Sequence, residues 1–196
     1  MYKINEIFHS LQGEGYHTGT PAVFVRFSGC NLHCVFCDTQ HQEGRMMSLP
    51  DIIAEVNRYP HAQMVVLTGG EPSLFVDDAF VRALKEQTGK MVTMETNGTR
   101  ALPVSLDWVT LSPKSAFEGG DGEPCVLTSC DELKVVYCGQ DLQIYSTIEA
   151  KHRFLQPCYI DDSVKRKANM HACVEAVMKN PGWRLSLQVH RVLGIQ

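Results

Sequence analysis

Three cysteines lie close together near the start of the chain, in a C-x3-C-x2-C arrangement formed by Cys30, Cys34 and Cys37. Three thiolates on one short loop can converge on a single metal centre. A structural zinc site is closed by four protein ligands, and an ordinary 4Fe–4S cluster also takes four cysteines. Three cysteines leave one iron open to a chelating amino acid, such as the methionine end of S-adenosylmethionine. An electron passed from the cluster to the sulfonium would then break a C–S bond.

Two simpler interpretations compete with an iron–sulfur cluster. Cysteines can serve as small buried hydrophobic residues, but three at this spacing favour a metal. A zinc site with His33 as the fourth ligand is the second alternative, although so short a loop would struggle to bring four ligands to tetrahedral positions. The other five cysteines are interpreted as buried residues or free thiols, with a second cluster at the first two as an alternative: Cys125, Cys130, Cys138, Cys158 and Cys173.

The elements that must position the cysteines alternate between apolar strands and amphipathic helices. Strands are predicted over 21–27, 63–68, 90–95, 107–111, 132–137, 153–156 and 184–189. Helices are predicted over 49–59, 77–87, 141–151 and 161–179. Alternation of this kind predicts a parallel α/β sheet. About six units are visible, short of the eight of a complete barrel, and the connection over 115–131 has no convincing helix.

Several polar motifs share one place in this arrangement, because each follows the carboxyl end of a predicted strand. That edge carries the active site in parallel α/β folds, so the coincidence predicts an enzyme. The motifs are the cysteine loop, Gly69-Gly70-Glu71-Pro72, Glu95-Thr96-Asn97-Gly98, Ser112-Pro113-Lys114 and Gln156-Pro157.

Composition and charge exclude several other classes of protein. The 196 residues fit one domain over 1–196. With 18 Lys and Arg against 22 Asp and Glu, no basic surplus exists to bind nucleic acid. No apolar run approaches the roughly 20 residues that cross a bilayer, and the N-terminal segment lacks the apolar centre of a signal peptide. We expect a soluble cytoplasmic protein with reduced thiols.

The cysteine motif, with Phe36 before its last cysteine and Gly69-Gly70-Glu71-Pro72 after the next strand, resembles the radical S-adenosylmethionine superfamily. Further motifs resemble the 7-carboxy-7-deazaguanine synthase family over nearly the whole chain. This resemblance implies a trimmed, incomplete barrel of (β/α)6 type. The motifs are 6–15 (EIFHSLQGEG), 37–39 (CDT), 95–98 (ETNG), 112–114 (SPK), 132–136 (ELKVV), 155–157 (LQP) and 183–190 (WRLSLQVH).

The resemblance implies conversion of 6-carboxy-5,6,7,8-tetrahydropterin to 7-carboxy-7-deazaguanine with loss of ammonia, in queuosine and deazapurine biosynthesis. It implies a 4Fe–4S cluster on Cys30, Cys34 and Cys37, S-adenosylmethionine, and Mg²⁺ on Thr39, which would otherwise be interpreted as a helix or turn cap. It also implies a homodimer and an electron donor of flavodoxin or ferredoxin type. Cofactor contacts would come from Phe36, Cys37, Asp38, Gly70, Ser112, Pro113, Lys114 and Gln156.

Substrate contacts follow from the same resemblance, and one of them also from the residues alone. Arg26 is a lone charge in an apolar strand, where it would be costly unless it is used, and its guanidinium can pair with a carboxylate at two points. The other implied contacts are Leu11, Gln12, Gly13, Thr68 and Gln196. The stretch 158–162 departs from the acidic turn that the family carries after 155–157. A radical-generating activase is the alternative enzyme and a zinc-binding module the alternative from another class.

Overall fold

The computed structural model describes residues 1–37, 39, 42–114 and 123–196. Nine strands of this part of the chain form one sheet: β1 (Tyr2–Leu11), β2 (Pro21–Phe27), β3 (Arg45–Met47), β4 (Met64–Gly69), β5 (Met91–Thr96), β6 (Trp108–Leu111), β7 (Ser129–Tyr137), β8 (Glu149–Pro157) and β9 (Arg184–Leu185). Their order across the sheet is β3-β1-β2-β4-β5-β6-β7-β8-β9.

From β2 across to β9 every neighbouring pair of strands is parallel. This confirms the predicted α/β class. At the other edge β1 pairs antiparallel with both β2 and β3, an addition that the sequence analysis missed. Strands β3 and β9 end the order at its two edges, so the described part of the sheet is an incomplete barrel.

Four α-helices accompany the sheet: α1 (Leu49–Asn57), α2 (Asp78–Thr88), α3 (Ser163–Lys179) and α4 (Val189–Leu193). The start of α1 is fixed by a capping box between Ser48 and Asp51, which satisfies amide groups that the first turn leaves open. Helix α2 begins at the cap Asp77 and ends at Gly89, whose φ of 67° suits glycine. Within the described residues, α1, α2 and α3 connect parallel strands, whereas the β5–β6, β6–β7 and β7–β8 connections carry no α-helix.

The two faces of the sheet have different partners because strand side chains alternate. On one face, Val23, Val25 and Leu67 pack with buried residues of α1 and α2. On the other face, Phe24 and Val66 belong to a small apolar cluster. Arg26 lies two residues beyond Phe24 in the same strand, so its side chain extends over that cluster. A further core joins β7 and β8 to α3.

The predicted helix over 141–151 is wrong. Residues Leu142–Tyr145 form only a short 3₁₀ helix, and β8 already begins at Glu149. The amide of Glu149 donates to the carbonyl of Thr128 at 2.8 Å, and Ala150 pairs with Cys130. Pairing with β7 thus outweighs the weak helical preference of this stretch.

The predicted strand over 184–189 is also too long. Strand β9 ends at Leu185, and Val189 opens α4. The amide of Ser186 donates to the carbonyl of Leu155 at 2.8 Å, and that of Val189 donates to the carbonyl of Gly13 at 3.0 Å. The chain therefore leaves the sheet to pack against the loop after β1. No helix among the described residues has both the length and the apolar character required to cross a membrane.

Candidate active site

A cleft of about 1180 Å³ opens at the carboxyl ends of the parallel strands. It gathers nearly every residue that the sequence analysis placed in the site. The predicted residues that line it are Leu11, Gln12, Gly13, Arg26, Cys30, Cys34, Phe36, Cys37, Thr39, Thr68, Gly70, Ser112, Lys114, Gln156 and Gln196.

The cysteine loop forms one wall of this cleft. None of the three cysteines forms a disulfide, and all three are at least partly accessible. The amide of Leu32 donates to Sγ of Cys30 at 3.4 Å, and the amide of Cys37 donates to the carbonyl of Cys34 at 3.0 Å. Burial raises the pKa of Cys30, with smaller contributions from Glu71 and the other two thiols. The donor set suits an iron–sulfur cluster, although no three His, Cys, Asp or Glu side chains of the described residues are gathered closely enough to hold a metal ion.

The Gly69-Gly70-Glu71-Pro72 segment is packed tightly against the start of the cysteine loop. The amide of Glu71 donates to the carbonyl of Gly29 at 2.9 Å. A Cβ on Gly70 would lie 1.9 Å from the same carbonyl oxygen, so glycine is needed here for the approach of two backbones. The buried Glu71 carboxylate accepts from the hydroxyl of Thr96 and the amide of Asn97, each at 2.7 Å. It thereby joins the loops after β4 and β5.

Arg26 is held at the side of the cleft by a carboxylate that the sequence analysis missed. Its Nε donates to Oε1 of Glu6 at 2.8 Å, and one terminal nitrogen donates to the hydroxyl of Thr39 at 3.3 Å. The guanidinium also lies 5.7 Å from the ring centre of Phe8. The amide side chain of Gln196 donates to the other oxygen of Glu6. The predicted substrate contact and the predicted magnesium ligand are therefore neighbours.

The floor of the cleft holds a buried network of carboxylates around one lysine. Nζ of Lys134 bonds Oε2 of Glu14 and lies 3.4 Å from Oε1 of Glu95. Glu95 also accepts from Gln12 Nε2 at 3.1 Å and from the hydroxyl of Thr68 at 2.9 Å. Both predicted residues, Gln12 and Thr68, thus meet at Glu95.

Electrostatics within this network follow from burial and from the lysine. Burial alone would raise the pKa of Glu14, but Lys134 outweighs it and lowers the pKa to about 2. Burial alone would lower the pKa of Lys134, but Glu14 and Glu95 raise it well above its usual range. Burial raises the pKa of Glu132, because it outweighs the opposing effects of Lys134 and of the backbone amide of Tyr16. The cleft floor therefore presents the ionised carboxylate of Glu14 paired with the cation of Lys134.

Comparison with known proteins shows the family to which this chain belongs. Over all 196 residues of both chains, the sequence is 57% identical to 7-carboxy-7-deazaguanine synthase of Bacteroides thetaiotaomicron. It is 37% identical to the enzyme of that name from Caulobacter vibrioides, with 99% of each chain covered. The chain belongs to the 7-carboxy-7-deazaguanine synthase family. The sequence model of the radical SAM superfamily matches residues 24–118, and that superfamily implies a 4Fe–4S cluster and S-adenosylmethionine.

Solved structures agree with this family. A crystal structure of QueE from Escherichia coli matches with a TM-score of 0.76 at 30% identity, covering 96% of this chain and 94% of that one. SuiB of Streptococcus suis matches with a TM-score of 0.54 at 13% identity and 86% coverage of this chain, but only 48% of its own chain is covered. SuiB therefore supports the fold alone. QueE supports the full-length architecture of a 7-carboxy-7-deazaguanine synthase.

The remaining predicted cofactor contacts of this synthase-family chain are placed as follows. Nζ of Lys114 donates to the hydroxyl of Ser112 at 2.7 Å and lies 5.6 Å from the ring centre of Phe36. Oε1 of Gln156 accepts from the hydroxyl of Ser186 at 2.9 Å. Pro113, between Ser112 and Lys114, lines a second cavity of about 370 Å³, and its predicted contact with the cofactor stays a prediction. Asp38 lies outside the described residues.

Sequence reasoning missed four charged residues that this synthase-family cleft uses: Glu6, Glu14, Glu95 and Lys134. Lys134 carried a signal, since it is a lone cation in an apolar strand, the same argument that selected Arg26. Glu95 also carried one, as a carboxylate near the end of a buried strand. Glu6 could not be placed while β1 was unrecognised. Helix α4 also reaches the site, where Nδ1 of His190 occupies the space beside Gly13.

Proposed function

We propose that this chain converts 6-carboxy-5,6,7,8-tetrahydropterin to 7-carboxy-7-deazaguanine with release of ammonia. One observation carries the proposal: Arg26 and Thr39, 3.3 Å apart, line the same cleft as the three-cysteine loop. A cation suited to a substrate carboxylate and a hydroxyl suited to a hard metal thus share one cavity with the predicted cluster ligands. The relatives named for this product support the same conclusion.

The reaction leaves the protein with the tasks of positioning and of excluding water. When bound on Cys30, Cys34 and Cys37, the cluster with S-adenosylmethionine would supply the radical chemistry that takes a hydrogen atom from the pterin. The substrate minus one ammonia has the composition of the product, so the overall conversion needs no net oxidant or reductant. The residues of the cleft must therefore hold the pterin in one orientation throughout.

The cleft has a group for each end of such a substrate. Arg26 can pair with the pterin carboxylate through its planar guanidinium. The aminopyrimidinone end carries N–H donors, and the carboxylate oxygens of Glu14 and Glu95 can act as acceptors for them. Leu11, Gln12 and Gly13 would border the ring, with Thr68 beneath it and Gln196 near the carboxylate. These positions lie on different elements, so their arrangement would select the substrate by shape as well as by charge.

Further parts of the proposal concern metal and partners. The Thr39 hydroxyl would bind Mg²⁺, which prefers hard oxygen ligands and keeps several waters. We expect electrons to come from a flavodoxin- or ferredoxin-type donor, and the chain to act as a homodimer in the cytoplasm. None of the eight cysteines is in a disulfide, as a reducing compartment would keep them. Residues 1–196 would act as one catalytic domain.

The test is anaerobic incubation of the brown, reconstituted protein with S-adenosylmethionine, dithionite and the carboxypterin. Mass analysis should find the deazaguanine acid and an equal amount of ammonia. The same incubation with a tetrahydropterin that lacks the carboxylate should form no deazaguanine product. A colourless protein that binds zinc, or a cluster protein that cleaves S-adenosylmethionine but never alters the pterin, would overturn the proposal.

A further inference from the structure

The side chain of Asn31, which immediately follows Cys30, is bonded at both ends of its amide. Its Nδ2 donates to the hydroxyl of Thr99 and to Oε2 of Glu123, each at 2.8 Å. Its Oδ1 accepts from Nδ2 of Asn97 at 3.1 Å. Both N–H groups of the amide are thus used, and its oxygen has a partner. Asn31 therefore joins the cysteine loop to two other segments of the chain.

The partners of Asn31 are themselves held in place. Oδ1 of Asn97 accepts from the amide of Thr99 at 3.0 Å and from its hydroxyl at 2.8 Å, and both residues are buried. The backbone amide of Asn97 donates to Oε2 of Glu71 at 2.7 Å. Arg100 pairs with Glu123 at 2.6 Å. The Asn31 side chain consequently links the loop after β2 to the loop after β5 and to Glu123, and the backbone of Asn97 extends the link to Glu71 after β4.

We propose that Asn31 is a positioning residue that fixes the cysteine loop so that its thiolates hold the cluster in one geometry. The inference rests on the proposed function, since it assumes that the loop binds a cluster. The hydrogen bond from the Leu32 amide to Sγ of Cys30 stays within the loop, whereas the bonds of Asn31 reach segments outside it. Residues that hold metal ligands in place affect the affinity of the site for its metal and the reduction potential of a bound cluster. Without the Asn31 side chain, the loop keeps its three thiols but loses the hydrogen bonds that hold it against Asn97, Thr99 and Glu123.

The experiment compares reconstituted wild type with Asn31→Ala and Asn31→Asp. The aspartate has nearly the same shape but lacks both N–H donors and sets a carboxylate against Glu123. We expect both variants to lose iron to a chelator about 10-fold faster or more, with altered electron paramagnetic resonance of the reduced cluster. Asn57→Ala is the matched control, since the Asn57 amide donates only to an exposed carbonyl of Gln87 at 3.2 Å. It should behave as wild type.

A second variant keeps the inference testable if Asn31→Ala folds poorly. Thr99→Val removes one acceptor of the Asn31 amide without touching the cysteine loop, and should accelerate iron loss in the same direction by a smaller factor. Equal thermal midpoints of the cluster-free proteins would separate positioning from general destabilisation. Normal iron retention and an unchanged resonance signal in folded Asn31→Asp would overturn the inference. A wild type that never takes up iron would instead overturn the proposed function.

Discussion

Nε of Arg26 lies 2.8 Å from Oε1 of Glu6, so the guanidinium that would bind a substrate carboxylate already pairs with a carboxylate of the protein. The pair bridges two antiparallel strands, β1 and β2, where Glu6 and Arg26 are register partners. About a fifth of the Arg26 side chain remains exposed to the cleft, 21%. Glu6 holds the inner nitrogen and Thr39 accepts from one terminal nitrogen, so a substrate carboxylate would have to pair with the terminal nitrogens beside Thr39.

Replacing Arg26 by lysine should weaken substrate binding while the charge is kept. Lysine cannot reproduce the planar fork that reaches Glu6 and a substrate at once. Losing one charged hydrogen bond costs about 1.5–3 kcal/mol, which corresponds to a KM about 10- to 100-fold higher. Steady-state kinetics with the carboxypterin measure this, and uncoupled cleavage of S-adenosylmethionine should continue. Arg45→Lys, on an exposed edge strand, is the control. An unchanged KM in Arg26→Lys would place Arg26 outside the substrate site.

Thr39→Ala should reduce both turnover and its dependence on Mg²⁺, because a neutral oxygen ligand is lost while Arg26 remains. Substrate binding should persist. A magnesium titration of cluster-loaded wild type, Thr39→Ala and Thr39→Ser measures the effect, and serine should restore most of the wild-type curve because it retains the hydroxyl. Superimposable curves for wild type and alanine would return Thr39 to the role of a turn residue.

Cys34→Ser should abolish the visible absorption of the cluster and all cleavage of S-adenosylmethionine. Two thiolates are too few to hold the iron, whereas wild type has three on the loop. Cys138→Ser is the matched control, because Cys138 is exposed and does not line the cleft. Iron and sulfide analysis after anaerobic reconstitution gives the measurement. Full iron content in Cys34→Ser would refute the assignment of the three ligands.

Lys134→Met should destabilise the protein by about 3–5 kcal/mol, because the buried carboxylate of Glu14 loses its partner. Urea unfolding of the cluster-free protein measures the change. Lys151→Met provides the contrast, since Lys151 pairs with Asp131 but its side chain is 71% exposed. An exposed pair of that kind contributes about 0–1 kcal/mol. Similar losses in the two variants would mean that Lys134 is not electrostatically coupled to Glu14.

Acid should weaken the fold through Glu14 in a defined range of pH. Its pKa is lowered in the folded protein from 4.5 to about 2, so in this range the unfolded chain binds a proton that the folded chain does not. The corresponding stability is present above pH 4.5 and is lost as the pH falls towards 2, with a slope of about 1.4 kcal/mol per pH unit. Unfolding of Glu14→Gln, measured over the same range, should lack this component. The exposed Glu175→Gln should keep it, and equal slopes in wild type and Glu14→Gln would contradict the coupling.

Local sequence signals were sufficient for the central elements of the fold. The strand predicted over 21–27 coincides with β2, and α1 and α2 are predicted to within two residues at each end. The signals failed where tertiary pairing prevails. Tyr2–Leu11 mixes polar and apolar residues and becomes a strand by pairing with β2, and 149–152 joins β7 instead of forming a helix.

By itself the sequence determined the chemistry of the site: three cysteines at a spacing suited to a cluster, glycines before Glu71, and a lone Arg26 in an apolar strand. These depend on residue type and on separations of a few positions, which the printed chain contains directly. Only the tertiary structure brought Glu6 to Arg26, placed Lys134 between Glu14 and Glu95, and anchored Asn31 on Glu123. Such pairs join residues far apart in the chain, and their partners become neighbours only when the register of adjacent strands is fixed by packing on the whole sheet.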